Sequence, residues 1–314
     1  MSWNVYRLVY QAKSPIHIGW HTLGYINLTR YYIPGRTMWG AFVANLTRTY
    51  GDKGIEDYKT FEVLLTKDVL VSYFYPALEP EKPMLPKFTS GGLFYGDLPA
   101  HAFERQFVKS FGQTAVAPGS NTAQDQSIHE SEYIAPVIKA EDGSQSQVYF
   151  VGYVFINDHA GINGKPVGWE GNSINLKRAV SEIFVGGDRT YGWGRLVIDD
   201  RFTEANPTKF FNAMEFLPSD DKSLVWFPGD IPGPIPAHVS VSSGLALKGD
   251  IEPLAGREWS ARGPGQTIVS LNNTLCWMPG SILTEDQPQK RTFAIGSCGI
   301  LTSGADDVSE PSQP

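Results

Sequence analysis

The chain has 314 residues, 41% of them hydrophobic and 12% aromatic, with 32 glycines, 22 prolines and two cysteines, and its mean hydropathy of −0.21 is that of an ordinary globular protein. It contains no run of eighteen apolar residues, which excludes a spanning helix, and Cys276 and Cys298 stand in no CxxC or other metal-ligand spacing. A net charge of −7 argues against avid, nonspecific binding of naked nucleic acid, yet residues 1–50 carry Arg7, Lys13, Arg30, Arg36 and Arg48 and the first acid is Asp52.

The start lacks the basic-then-apolar layout of a secretory signal. A cytoplasmic, reduced protein with no metal, no cofactor and no membrane contact is the expectation. Residues 6–12, aromatic and β-branched, predict an opening strand. Ser14-Pro15 breaks it, and Ile16-His17-Ile18-Gly19 continues extended. A polar and aromatic connection over residues 20–32 leads to the Pro34-Gly35 turn, with Thr37 as a helix cap. Met38, Phe42, Val43 and Leu46 then recur at helical spacing.

Residues 69–75 predict a strand closed by Pro76, and the Pro- and Gly-rich stretch 79–98 a long loop. Residues 112–130 are polar and suit a segment that is mobile or ordered only by a partner. Residues 147–156 give the clearest strand. Leu176, Ala179, Val180 and Ile183 form a helical stripe running into a glycine-rich loop, and residues 196–198 follow as a strand. This order predicts an α+β fold whose first domain, residues 1–200 with long insertions, is a ferredoxin-like or RNA-recognition-motif (RRM) sheet. Short apolar runs at 224–227, 238–241 and 293–295 predict a second, β-rich domain over 201–302, with a degenerate RRM-like domain as one option. The acidic residues 303–314 read as a disordered tail. Residues 277–283 faintly echo residues 33–38, a hint of duplication.

The glycine-rich loop is Val185-Gly186-Gly187-Asp188-Arg189-Thr190-Tyr191-Gly192-Trp193-Gly194-Arg195. Glycines permit left-handed turns and close approach, and successive amides there can form an anion-binding concavity. Gly194-Arg195 leads into a strand, so this is not a nucleoside-triphosphate loop, which needs Gly-Lys-Ser/Thr before a helix. A dinucleotide fingerprint follows a strand and opens a helix, the reverse of the predicted order. Two readings stay open: an anion or RNA site, and a tight connection without ligand.

Two motifs carry a family resemblance. Ser14-Pro15-Ile16-His17-Ile18-Gly19 followed by Ile33-Pro34-Gly35-Arg36-Thr37-Met38-Trp39-Gly40-Ala41-Phe42 resembles the opening of the CRISPR RAMP superfamily. The segment Gly186 to Arg195 is similar to that superfamily's glycine-rich loop. The resemblance covers about the first two hundred residues. It implies an RRM-like fold and a subunit of a type III effector complex, with guide RNA (crRNA), the large subunit and backbone subunits as partners and target RNA met indirectly.

Within that superfamily, target-cutting backbone subunits carry an aspartate between the first strand and first helix; residues 19–32 contain no acid here. The resemblance therefore favours the noncatalytic subunit that holds the 5′ handle of the guide. The alternatives are a repeated backbone subunit coating the spacer and a metal-independent guide-processing endoribonuclease.

The RNA-binding candidates are Gly186, Gly187, Arg189, Tyr191, Gly192, Trp193, Gly194 and Arg195, with His17, Arg30 and Arg36 extending the surface. Arginines would hold phosphates while an aromatic stacks on a base. For the endoribonuclease, His21, Tyr31 and Arg36 could serve as base, acid and cation. The acid pairs Asp199-Asp200 and Glu141-Asp142 border turns and read as solvated rather than as a metal site. A second Gly/Arg/Trp-rich segment, residues 256–266, reads equally as a contact loop or as a structured turn.

Overall fold

The computed structural model describes residues 3–139, 142–217, 219, 222–227, 233–260, 263–284 and 292–303, excepting the side chains of residue 55 and residues 257–274. The fold is α+β and mostly sheet. Its organising element is the opening strand, β1 (Trp3–Ala12). It pairs antiparallel with Tyr149–Asn157 from Trp3 to Gln11, and with Arg195–Ile198 on its other edge. The main path of this sheet runs Glu182–Phe184, Arg195–Ile198, Trp3–Ala12, Tyr149–Asn157, Val69–Val71.

Helix α1 (Gly35–Tyr50) starts at Gly35 rather than beyond Thr37. Pro34 occupies the cap position without a side-chain bond, and the Thr37 amide already donates to the Pro34 carbonyl at 2.9 Å. Gly35 is required by close approach: a Cβ there would stand 2.2 Å from the Cys298 carbonyl oxygen. The predicted stripe Met38, Phe42, Val43 and Leu46 is fully buried. A second helix, α2 (Ile55–Lys67), forms where the sequence reading placed no element. It buries Phe61, Leu64 and Leu65, and Asp57 accepts from the Asp52 amide at its start.

Three further expectations are corrected. The stretch 79–98 holds a three-stranded meander, Pro86–Thr89, Gly92–Tyr95 and Leu98–Pro99, leading into helix Ala100–Phe107. Phe103 and Phe107 of that helix stack at 4.4 Å and anchor it. The connection 20–32 is a hairpin of β2 (Gly19–Leu23) and β3 (Ile26–Thr29). It joins a second hairpin, Val108–Gln113 with His129–Ile134, whose far end holds residues 114–128. The helix before the glycine-rich loop is only Leu176–Val180, and the strand Glu182–Phe184 intervenes, so the loop runs from strand to strand.

Residues beyond 208 build an eight-stranded sheet. Phe210, Val225 and Phe293 belong to the same hydrophobic cluster as Leu8 and Phe42, so one core runs through both halves. The echo between 33–38 and 277–283 is no structural repeat: one copy opens α1, the other is a turn into Ile282–Leu283. Residues 304–314 lie outside the described residues.

Candidate nucleic-acid interface

The glycine-rich loop closes an antiparallel hairpin in which Ile183 pairs with Leu196. Gly186, Asp188, Gly192 and Gly194 all take positive φ, from 54° to 84°. Two of these glycines are fixed by sterics as well. A Cβ on Gly186 would lie 1.9 Å from the His17 carbonyl oxygen, and one on Gly194 would lie 2.0 Å from that of Val185. The loop is bonded to the segment after β1: Gly187 N–H donates to the His17 carbonyl (2.9 Å), Gly194 N–H to that of Pro15 (2.7 Å), and Arg195 N–H to Ser14 Oγ (2.9 Å). The two motifs far apart in sequence thus form one interlocked unit.

That interlock engages much of the backbone expected to hold an anion. The amides of Asp188, Arg189 and Thr190 have no backbone partner among the described residues. They sit at the tip of the loop, in and before a single 3₁₀ turn, Arg189–Tyr191. Arg189 is exposed and makes no ion pair among the described residues. Tyr191 is 66% exposed. An unpaired guanidinium, an open phenol ring and unengaged amides at one tip can hold a phosphate and stack a base.

The other candidates land elsewhere. Trp193 is 8% exposed and packs on Tyr133 at 5.0 Å and Phe111 at 6.4 Å, so it is a core anchor beneath the loop and offers no stacking face. Arg195 is exposed but holds Glu182 through Nε and Nη2 at 2.9 and 3.3 Å. His17 is buried between the loop and the second hairpin, its Nδ1 2.6 Å from the Glu132 carbonyl. Arg36 is buried against Gly256.

Arg30 is enclosed in a polar network. Its Nη1 and Nη2 contact Glu252 at 2.6 and 3.0 Å, and Nη1 also reaches Tyr32 Oη at 3.2 Å. Trp20 Nε1 donates to the same carboxylate at 3.0 Å. His238 lies between Glu252 (2.7 Å) and the Tyr73 hydroxyl (2.7 Å). Beside an ionised Glu252 the His238 proton sits on Nε2, and Nδ1 accepts from Tyr73. The network bonds the first hairpin to the C-terminal sheet.

Sequence reasoning missed Phe111, Lys109 and Tyr133, which the pairing Val108–Gln113 with His129–Ile134 brings to the Trp193 side of the loop. Phe111 is 54% exposed beside Trp193, whereas Lys109 is exposed with its Nζ donating to the Arg105 carbonyl. An aromatic two residues after a lysine on a strand was the available signal.

The endoribonuclease set is not brought together by its contacts. His21 is exposed on β2 beside Trp20, whereas Tyr31 donates to Glu104 and packs on Tyr95 and Phe103. Burial, then Glu104, push the Tyr31 hydroxyl far above its ordinary range, which unfits it as a proton donor to a leaving oxygen near neutrality. Asp199 pairs with Arg201 and Asp200 with Lys177. Glu141 lies outside the described residues, and so do the side chains of 257–266 in the second Gly/Arg/Trp-rich segment. Among the described residues no three His, Cys, Asp or Glu side chains converge as metal ligands, and no helix is long and apolar enough to cross a membrane.

These features define an α+β protein whose sheet presents an interlocked glycine-rich loop with an exposed cation and aromatic. No family model and no curated protein matches the sequence. Among solved structures, the chain is similar to a chain of Type III-B Cmr-beta bound to cognate target RNA and AMPPnP. That likeness covers 89% of this chain and 86% of the other, at 10% identity and a TM-score of 0.47. A structure of Type III-B Cmr-beta bound to cognate target RNA matches over 88% and 86%, with the same identity and TM-score. Its apo state matches over 62% and 96%, at 8% identity and a TM-score of 0.35.

Proposed function

We propose that this chain is a noncatalytic RNA-binding subunit of a type III CRISPR effector ribonucleoprotein that holds the 5′ handle of the guide RNA and docks neighbouring subunits. The observation that carries the reading is the interlock: the two sequence motifs that resemble the RAMP superfamily bond directly to each other and place Arg189 and Tyr191 in solvent. The sheet order supports it. Taking Trp3–Ala12, Val69–Val71, Tyr149–Asn157 and Arg195–Ile198 as strands one to four, their spatial order is four-one-three-two and antiparallel, as in a ferredoxin-like sheet. Exposed apolar side chains at the hairpin ends, Leu23, Tyr25, Val116 and Ile128, suit contact with neighbouring subunits. A net charge of −7 fits a protein that meets RNA inside an assembly rather than on its own.

The test is to purify the tagged chain from its host, sequence the bound RNA and weigh the intact complex. Guide RNAs sharing a 5′ end, with one copy of the chain, are the expected result. Several copies would indicate a backbone subunit, and no RNA would sink the reading. Arg189→Ala and Tyr191→Ala are each expected to weaken handle binding about ten- to hundredfold, the scale of one lost stacking contact or charged phosphate contact. Arg189→Ala should also lower the salt slope by about 0.7, that of one released counterion on a single strand.

A further inference from the structure

The face of the central sheet that carries Val9 has a separate small core, Val9, Ala77 and Val151, flanked by Tyr149 and Phe202. Alternation places Arg7 on this same face. At the other end of the face, Phe210, Phe211 and Phe216 pack around Tyr153, the residue opposite Arg7. Between these two aromatic covers lies a cleft of about 490 Å³, within the range of small-molecule sites. No residue of the glycine-rich loop lines it.

The lining is polar and carries both signs of charge. Arg7 is half-buried, its guanidinium held by the Phe202 and Pro80 carbonyls. Carbonyls orient a guanidinium without neutralising it, and Arg7 forms no ion pair among the described residues. Lys209 is exposed on the lining and likewise unpaired there, whereas Arg201 is already held by Asp199. Glu204 stands opposite Arg7 in the strand register and is exposed. The wall behind these groups is fixed in place. Asn206 exchanges two bonds with Val5, and Asn206, Phe211 and Asn212 hold positive φ of 50–60°, a conformation that surrounding structure must enforce.

Two unpaired cations on a lining that also carries the exposed carboxylates Glu204 and Glu81 suit a ligand with an anion at one end and hydroxyl donors at the other. We propose that this cleft binds a ribonucleotide, with its phosphate on Arg7 and Lys209 and its sugar hydroxyls on Glu204. Phosphate recognition by arginine and lysine, and ribose recognition by a carboxylate, are both well suited to these side chains.

The experiment is calorimetric titration of the full chain with adenosine and uridine 5′-monophosphates, then with 2′-deoxyadenosine 5′-monophosphate. Lys209→Ala and Arg7→Lys should each weaken the ribonucleotides about tenfold or more, the scale of one charged hydrogen bond. Arg189→Ala on the glycine-rich loop should leave them unchanged, which separates this site from the handle site. Thermal melts of both variants separate lost binding from a folding defect, and Lys209→Ala, at an exposed position, carries the test if Arg7→Lys fails to fold. A short RNA without a terminal phosphate that competes with the mononucleotide would identify an RNA chain as the source. Competition by mononucleotides alone would identify a free nucleotide, and either result supports the site. Equal binding of the deoxynucleotide overturns the role given to Glu204. No binding of any ribonucleotide, free or in RNA, at about 1 mM overturns the proposal.

Discussion

Glu252→Ala is expected to destabilise the protein by about 3–5 kcal/mol, the cost of leaving a buried charge without its partner. Glu252 is 6% exposed and accepts bonds from Arg30, Trp20 and His238. Its removal leaves the Arg30 guanidinium buried beside Tyr32 with no counter-ion in contact. Replacing both partners with apolar residues, as in Arg30→Met with Glu252→Leu, should recover much of the loss, because an apolar pair carries no desolvation penalty. Urea unfolding checks this: the midpoint should fall for Glu252→Ala with the slope unchanged, and recover in the double variant. A midpoint shift worth less than about 0.5 kcal/mol would show that Arg30 and Glu252 are not a buried pair.

The same network sets the response to acid. Burial alone would raise the Glu252 pKa, but the bonds from His238 and Arg30 outweigh it and hold the carboxyl down at about 2, against an ordinary 4.5. A carboxyl depressed on folding contributes stability that is full above 4.5 and is lost as pH falls towards about 2. His238 is also pushed below its ordinary 6.5, by burial first. The unfolded chain then takes up a proton that the folded chain refuses, which favours unfolding as pH drops below 6.5. Both groups act in one direction, so wild-type stability should decline from about pH 6.5 downward. The Glu252→Ala variant should decline less between pH 4.5 and about 2.

Local pattern revealed the elements whose own spacing decides them. The stripe Met38, Phe42, Val43, Leu46 buries as one helix face, and the runs read at 6–12 and 147–156 mark the two central strands, Trp3–Ala12 and Tyr149–Asn157, although Gln147 pairs in a separate two-stranded sheet. The glycine-rich loop was legible because positive φ leaves few residues other than glycine. Side-chain roles within it were not legible. Trp193 is buried by Phe111 and Tyr133, which reach it only through a hairpin distant in sequence. Arg30 resembled a phosphate contact, but its carboxylate partner stands 222 residues away. Helix α2 went unread because its buried positions Phe61, Leu64 and Leu65 are few and its start carries no side-chain cap, Asp57 inside the helix accepting instead from the Asp52 amide in the preceding turn.

Gly186→Ala and Gly194→Ala are expected to reduce handle-RNA binding at least about a hundredfold, more than removing either contact residue at the tip. Each combines two faults. A side chain at φ of 73° or 84° costs about 1–2 kcal/mol in the left-handed region. The new Cβ also meets a backbone carbonyl oxygen at 1.9 or 2.0 Å, and that oxygen belongs to the interlock or to the hairpin itself, so it has no rotamer by which to yield. Relief requires parting the loop from residues 14–17 in Gly186→Ala, or Val185 from Gly194 at the base of the hairpin in Gly194→Ala, and either loosens the bonds that position Arg189 and Tyr191. Gly192 supplies the control. Its φ is 83°, but nothing lies within 4 Å of a Cβ there, so Gly192→Ala should cost the left-handed penalty alone and weaken RNA binding no more than about tenfold. Trp193→Ala should instead lower stability by about 3–5 kcal/mol, as large-to-small core changes do. Fluorescence anisotropy with a labelled handle RNA, paired with hydrogen exchange across residues 182–198, separates the three effects. Wild-type affinity in Gly186→Ala would mean that RNA does not read this loop. Lost affinity with unchanged exchange would mean that the interlock is not what holds the tip in place.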